Sequence, residues 1–241
     1  IPQYAHRPAV APHDVLRHAD ISEKDLPHEL AVMDVKAALC PALEAEPSLA
    51  VEEFSTWPFL SQFESSDQEG NRRLVEPDGF IRIRDTGRDR GATLFLEVDR
   101  SHHVLGKIAR TVACYVNYYK SAKLAERFGR GRIPEAMPFR VLYVFRETSK
   151  SPPAERRNNV AETLLRLRPF PILEQAWLTT LPEILADPLG PIWVRPRDYR
   201  DAIAGTPYDL TPRPLPGPYR RRSNRDELVE SRVNKCRLLA G

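Results

Sequence analysis

An α/β fold is predicted by three features of the chain. Apolar runs on either side of a polar, Gly-punctuated loop mark a β-hairpin over residues 76–99. From Thr93 onward, strand and helix patterns alternate. The 241 residues are 41% apolar and 29% charged, enough to bury a sizeable core around such a sheet.

The chain divides into an N-terminal arm over 1–24, an α/β body over 25–204 and a Pro-rich, basic tail over 205–241. Pro2, Pro8 and Pro12 block a long helix in the arm, and His6, His13 and His18 fit no zinc spacing. A first helix has Pro27 in its first turn, where a missing N–H costs nothing. Leu30, Met33 or Asp34, and Ala37 recur at helical spacing there, with Pro41 ending the run. A strand follows through Leu49–Phe54. The loop from Trp57 to Arg73 contains a polar stretch, Ser65 to Asn71, that reads as mobile.

In the hairpin, Phe80, Ile81 and Ile83 begin one strand, and Leu94, Phe95, Leu96 and Val98 fill the other. A second helix is predicted from about His103 to Phe128, with Leu105, Ile108, Val112, Tyr115 and Tyr119 as its apolar stripe. Lys107, Arg110, Thr111, Cys114 and Tyr118 fall off that stripe. Its tyrosines serve the core or, in the sharper reading, stack on bases. The apolar run Phe139–Phe145 is the pattern of a central strand. A helix capped by Ser151 carries Val160, Leu164, Leu165 and Leu167. Strands at Ala176–Thr180 and Ile192–Val194 flank a short helical turn at Leu181–Leu185. Beyond Gly205, five prolines between Pro207 and Pro218 make a stiff linker, and Ser223 to Asp226 opens a terminal helix with Leu228, Val229 and Val233.

The hairpin also carries the chemistry. Asp78 stands where its first strand begins. Glu97 and Asp99 close the second strand, two residues apart and therefore on one face. Such a hairpin sets the start of one strand beside the end of the other, so three carboxylates converge. Unless protonated, they need a cation between them, and an all-oxygen set suits Mg²⁺ or Mn²⁺ rather than zinc. In the plainer alternative the acids are solvated strand ends and Pro77-Asp78-Gly79 is only a turn.

The formal charge of +3 does not by itself demand a nucleic-acid partner, but Arg220, Arg221, Arg222 and Arg225 crowd near the C-terminus, and Arg127, Arg130 and Arg132 form a second patch. Three scattered cysteines, Cys40, Cys114 and Cys236, suggest a reducing cytoplasm without a disulfide framework. No apolar run has the length of a membrane span and no signal peptide is visible, so no membrane partner is expected. The chain opens on Ile1 rather than Met, which leads us to expect a segment upstream of it. There is no repeat, Gly-rich phosphate loop or nucleophile elbow.

The order Leu26-Pro27-His28-Glu29, Glu76-Pro77-Asp78-Gly79, Phe95-Leu96-Glu97-Val98-Asp99-Arg100-Ser101, the Tyr-rich helix from Lys107 to Tyr119, and Val141-Leu142-Tyr143-Val144-Phe145 resembles the plasmid replication-relaxation family of the PD-(D/E)xK nuclease-like superfamily. The later Trp177-Leu178-Thr179 and Pro191-Ile192-Trp193 also fit. The resemblance implies a restriction-endonuclease-like mixed sheet flanked by helices, and a link to plasmid or mobile-element DNA. It implies a winged-helix DNA-binding part upstream, of which none is visible here. It further implies Asp78 and Glu97 as metal ligands, with the Val98 carbonyl as a third. Where the superfamily pattern ends in Lys, this chain has Asp99, which can bind metal or act as base; Lys107 is then the lysine that could reach in from the helix.

Two functions follow as expectations. One is a Mg²⁺- or Mn²⁺-dependent DNA phosphodiesterase. Asp78, Glu97 and Asp99 hold metal, Asp99 or Glu29 takes the proton from water, and Lys107 and Arg100 contact phosphate. The other is a DNA-binding accessory protein of the same fold without cleavage, gripping DNA through Arg100, Arg110, Arg130, Arg132, Arg220, Arg221 and Arg222. A third, from another class, is an assembly module whose C-terminal helix docks on a protein partner or a second copy.

Overall fold

The expected hairpin is the spine of the central sheet. A computed structural model describes residues 22–23, 25–56, 62–86, 90–99, 105–121, 123, 139–147, 151–166, 174–203 and 236–237. In chain order the elements are α1 (Leu26–Glu44), β1 (Leu49–Thr56), β2 (Phe63–Ser66), β3 (Arg72–Val75), β4 (Gly79–Asp85), β5 (Arg90–Asp99), α2 (Leu105–Lys120), β6 (Phe139–Phe145), α3 (Pro153–Leu165), β7 (Ala176–Thr180), α4 (Leu181–Ala186), β8 (Pro191–Trp193), α5 (Pro196–Ile203) and β9 (Cys236–Arg237).

Five strands form a mixed sheet in the order β1-β4-β5-β6-β7. β4 runs antiparallel to both of its neighbours, β1 and β5, with Gly79 opposite Leu96, whereas β5, β6 and β7 run parallel. Parallel neighbours require crossovers, and α2 and α3 supply them. Alternation along the strands divides the core in two. Phe80, Phe95, Val141, Tyr143 and Leu178 face α2 and α3. Ile81, Leu94, Leu96, Leu142 and Trp177 face α1 and α4. Among the described residues, no helix is long and apolar enough to cross a membrane.

Several elements differ from the expectation. In α1 the buried face is His28, Ala31, Val32, Val35, Leu39 and Leu43, while Leu30 and Met33 of the predicted stripe are 55% and 52% exposed. The wholly apolar phase through Val32, Val35 and Leu39 buries better than the mixed one through Asp34. Pro41 does not end this helix. Leu39 and Leu43, on either side of it, are both fully buried, and burial of about 1.5–3 kcal/mol each offsets a proline penalty of about 3 kcal/mol.

The stretch that reads as mobile is the tip of a tight hairpin, in which β2 pairs with β3. Four hydrogen bonds hold it: the Asp67 carboxylate accepts from the backbone N–H groups of Glu69 and Asn71, and from the Asn71 and Arg73 side chains. This hairpin lies on α2, where the Ser65 hydroxyl donates to the Cys114 carbonyl and the Asn117 side chain donates to the Ser66 carbonyl. Phe63 stacks on Tyr118 with ring centroids 3.9 Å apart. Cys114 and Tyr118 are therefore buried, although the stripe leaves them outside, and Tyr115 is core as well. α3 starts after Pro152 with no side-chain capping bond, so Ser151 is not its cap. α4 instead carries a full capping box between Thr180 and Glu183. The β9 segment pairs antiparallel with β8, and α5 is not foreseen from the sequence. The arm before Ser22, the end of the predicted second helix and the tail linker and helix lie outside the described residues.

Burial alone would raise the Asp67 pKa, but the bonds from Asn71, Arg73 and Glu69 outweigh it and hold the carboxyl below its usual value. A depressed folded pKa gives stability that is present in full above the unfolded value and lost as the pH falls through the folded one. Asp67→Ala should therefore unfold at lower denaturant than the wild type at pH 7, with the gap narrowing as the pH drops below about 4. Denaturant titrations at neutral and acid pH check this; an undiminished gap in acid would contradict it.

Candidate functional site

The carboxyl ends of parallel strands are where open α/β sheets place their ligands, and the three acids lie there. Asp78 immediately precedes β4. Its N–H donates to the Leu96 carbonyl at 3.0 Å, and its Oδ2 accepts from the Val98 N–H at 2.7 Å. This strapping depends on Gly79. A Cβ at that position would stand 3.0 Å from the Leu96 Cβ, so any side chain there would crowd Leu96. Asp78 Oδ1 takes a third bond, 2.9 Å long, from Nε2 of His28. His28 is 2% exposed, and its Nδ1 is buried without a hydrogen-bond partner.

Glu97 follows Leu96 on β5 and accepts a 2.5 Å hydrogen bond from the Tyr115 hydroxyl of α2. Burial first, then the Glu97 charge, pushes the Tyr115 pKa well above the phenol range, so the phenol remains a donor. Asp99 is 6% exposed and held in a forked pair by Arg156 of α3, with Nε–Oδ2 at 2.8 Å and Nη2–Oδ1 at 3.3 Å.

Asp78, Glu97 and Asp99 line one cavity of about 440 Å³, so the predicted convergence on one face is observed. Tyr143, opposite Glu97 in the parallel β5–β6 pair, lines the same cavity. Its pKa too is raised well above the phenol range, by burial and then by Glu97, Asp78 and Asp99. Arg73, Lys107 and Arg110 also line the cavity. Lys107 and Arg110 lie three residues apart on α2 and so share a face. Arg73 also pairs with Asp67 at 3.1 Å. The cavity thus has an acidic floor and cationic walls. Its cysteine, Cys114, has a pKa pushed up to about 11, chiefly by burial, and stays a thiol.

Among the described residues, no three His, Cys, Asp or Glu side chains are grouped so as to hold a metal ion. Asp99 is committed to Arg156 through both of its oxygens, whereas Asp78 is bonded to His28 and the Val98 N–H and Glu97 to Tyr115. Two carboxylates are still a fit for Mg²⁺, which keeps several waters and completes its shell with substrate phosphate. Glu29 does not line the cavity; its neighbour His28 makes the contact from this helix. Arg100, Arg130, Arg132, Arg220, Arg221 and Arg222 lie outside the described residues. Sequence reasoning missed His28, Tyr115, Tyr143 and Arg156. His28 sits in the Leu26-Pro27-His28-Glu29 motif and was open to discovery; no local signal marks Arg156, which is 57 residues from Asp99.

Fold and cavity together define a mixed α/β protein with an acid-floored cleft at the carboxyl end of its parallel strands. A family model described as Replication-relaxation matches residues 5–133, more than half of the chain, and the chain belongs to that family. No curated protein and no solved structure matches it.

The Asp99–Arg156 pair is buried, so removing one partner strands a charge while removing both does not. Arg156→Met should cost about 3–5 kcal/mol, and the Asp99→Leu/Arg156→Met double variant should recover most of that. Chemical denaturation of the single and double variants tests this; equal losses in both would show that the pair is not the source of the effect.

Proposed function

We propose that this protein acts on DNA in plasmid or mobile-element replication, seating a backbone phosphodiester at the cavity of its nuclease-like fold and hydrolysing it with a divalent ion. Membership of the replication-relaxation family suggests the replication-associated role. The observation that carries the chemistry is the single cavity in which Asp78 and Glu97 meet Lys107 and Arg110. Cationic walls attract a phosphate, but carboxylates in the same cavity repel it. A divalent cation between them resolves the conflict.

Asp78 and Glu97 would hold Mg²⁺ or Mn²⁺. When bound, the ion lowers the pKa of water and offsets charge on the phosphate. The chain's own residues do the rest. His28 and the Val98 N–H fix the Asp78 carboxylate, and Tyr115 fixes Glu97. Lys107 and Arg110 orient the phosphate. Asp99 is not the base in this reading, because both of its oxygens accept from Arg156.

That same fork favours a second reading, a DNA-binding accessory protein that does not cleave. The fork puts an arginine on the acid that stands where the superfamily pattern has lysine.

Supercoiled plasmid incubated with protein and Mg²⁺ or Mn²⁺ separates the two. Cleavage predicts metal-dependent nicking, abolished by Asp78→Ala or Glu97→Ala and reduced about 10–100-fold by His28→Gln. Salt-sensitive binding without nicking supports the accessory role, with Lys107→Gln and Arg110→Gln each lowering the salt slope by about 1. Absence of DNA binding would refute both.

A further inference from the structure

We infer that the Tyr143 hydroxyl is a ligand-binding donor, placed to hold an oxygen of the DNA backbone phosphate that enters the cavity. The inference rests on the DNA reading above, but not on cleavage. Tyr143 is 3% exposed, lines the cavity, and its hydroxyl has no hydrogen-bond partner. A buried donor left unsatisfied is costly, so it calls for an acceptor from outside the chain.

The neighbouring side chains are not that acceptor. Asp78 is taken by His28 and Val98, Asp99 by Arg156, and Glu97 accepts from Tyr115 rather than from Tyr143 beside it. A ligand oxygen entering the cavity would supply the acceptor that the Tyr143 hydroxyl lacks. Lys107 and Arg110 on the same cavity select an anionic ligand. A phosphodiester meets both demands, because it brings negative charge and unpaired acceptor oxygens together. Phenol is a neutral donor at neutral pH, so it adds a directed contact to the phosphate without adding charge to the cavity.

A neutral contact leaves a signature that a cation does not. Tyr143→Phe removes only the hydroxyl. Binding of a short labelled DNA duplex is measured by anisotropy over a salt series in Mg²⁺ buffer, with thermal unfolding in parallel. We expect Tyr143→Phe to raise Kd roughly tenfold or more at fixed salt, with the salt slope unchanged and Tm unchanged or higher. Wild type and Tyr143→Phe binding equally would overturn the inference, with the hydroxyl then meeting no more than water. A lowered Tm would also overturn it, by placing the acceptor within the fold. Failure of the wild type to bind DNA is a separate result, which removes the DNA reading and this inference with it.

Discussion

One carboxylate ties the two halves of the site together. Asp78 is bonded to β5 through the Val98 N–H and to α1 through His28, while its own N–H reaches the Leu96 carbonyl. β5 also carries Glu97 and Asp99, and α1 packs on the opposite face of the sheet. The clamp therefore joins a helix from one layer to the strand end that floors the cavity in the other. Gly79 favours it, because a Cβ there would stand 3.0 Å from the Leu96 Cβ and Leu96 would have to give way.

Around that clamp, each acid has a different partner. Asp78 has histidine and a backbone amide, Glu97 has a buried phenol, and Asp99 has a guanidinium. Arg156 occupies both oxygens of Asp99. Asp78 and Glu97 line the same cavity as Lys107 and Arg110. In the proposed function these two acids would hold Mg²⁺, which is commonly bound through one or two carboxylates with phosphate completing its shell.

Much of this was legible in the sequence because it depends on short-range rules. The i, i+2 spacing of Glu97 and Asp99 and the antiparallel hairpin place three acids on one face, and the alternation of elements from Thr93 gives the parallel strands. What escaped depends on longer range. The sequence phase of α1 runs through Leu30 and Met33 rather than Val32 and Val35, about 160° away around the helix, and so favours Glu29 over His28. β2 and β3 are four residues each and mostly polar, too short for alternation to register. Asp67, which closes their turn, is indistinguishable in sequence from a solvated loop acid. Arg156 pairs with Asp99 only because α3 folds back onto the parallel strands β6 and β7.

The central claim is spatial: DNA lies against the cavity between α2 and the ends of β4 and β5. Photo-cross-linking from a benzophenone side chain at Thr111, on the cavity, compared with one at Leu185, half-exposed on α4, tests it most directly. The account predicts salt-sensitive cross-links to DNA from position 111 and none from position 185. Equal cross-linking from both, or cross-links from 185 alone, would contradict it.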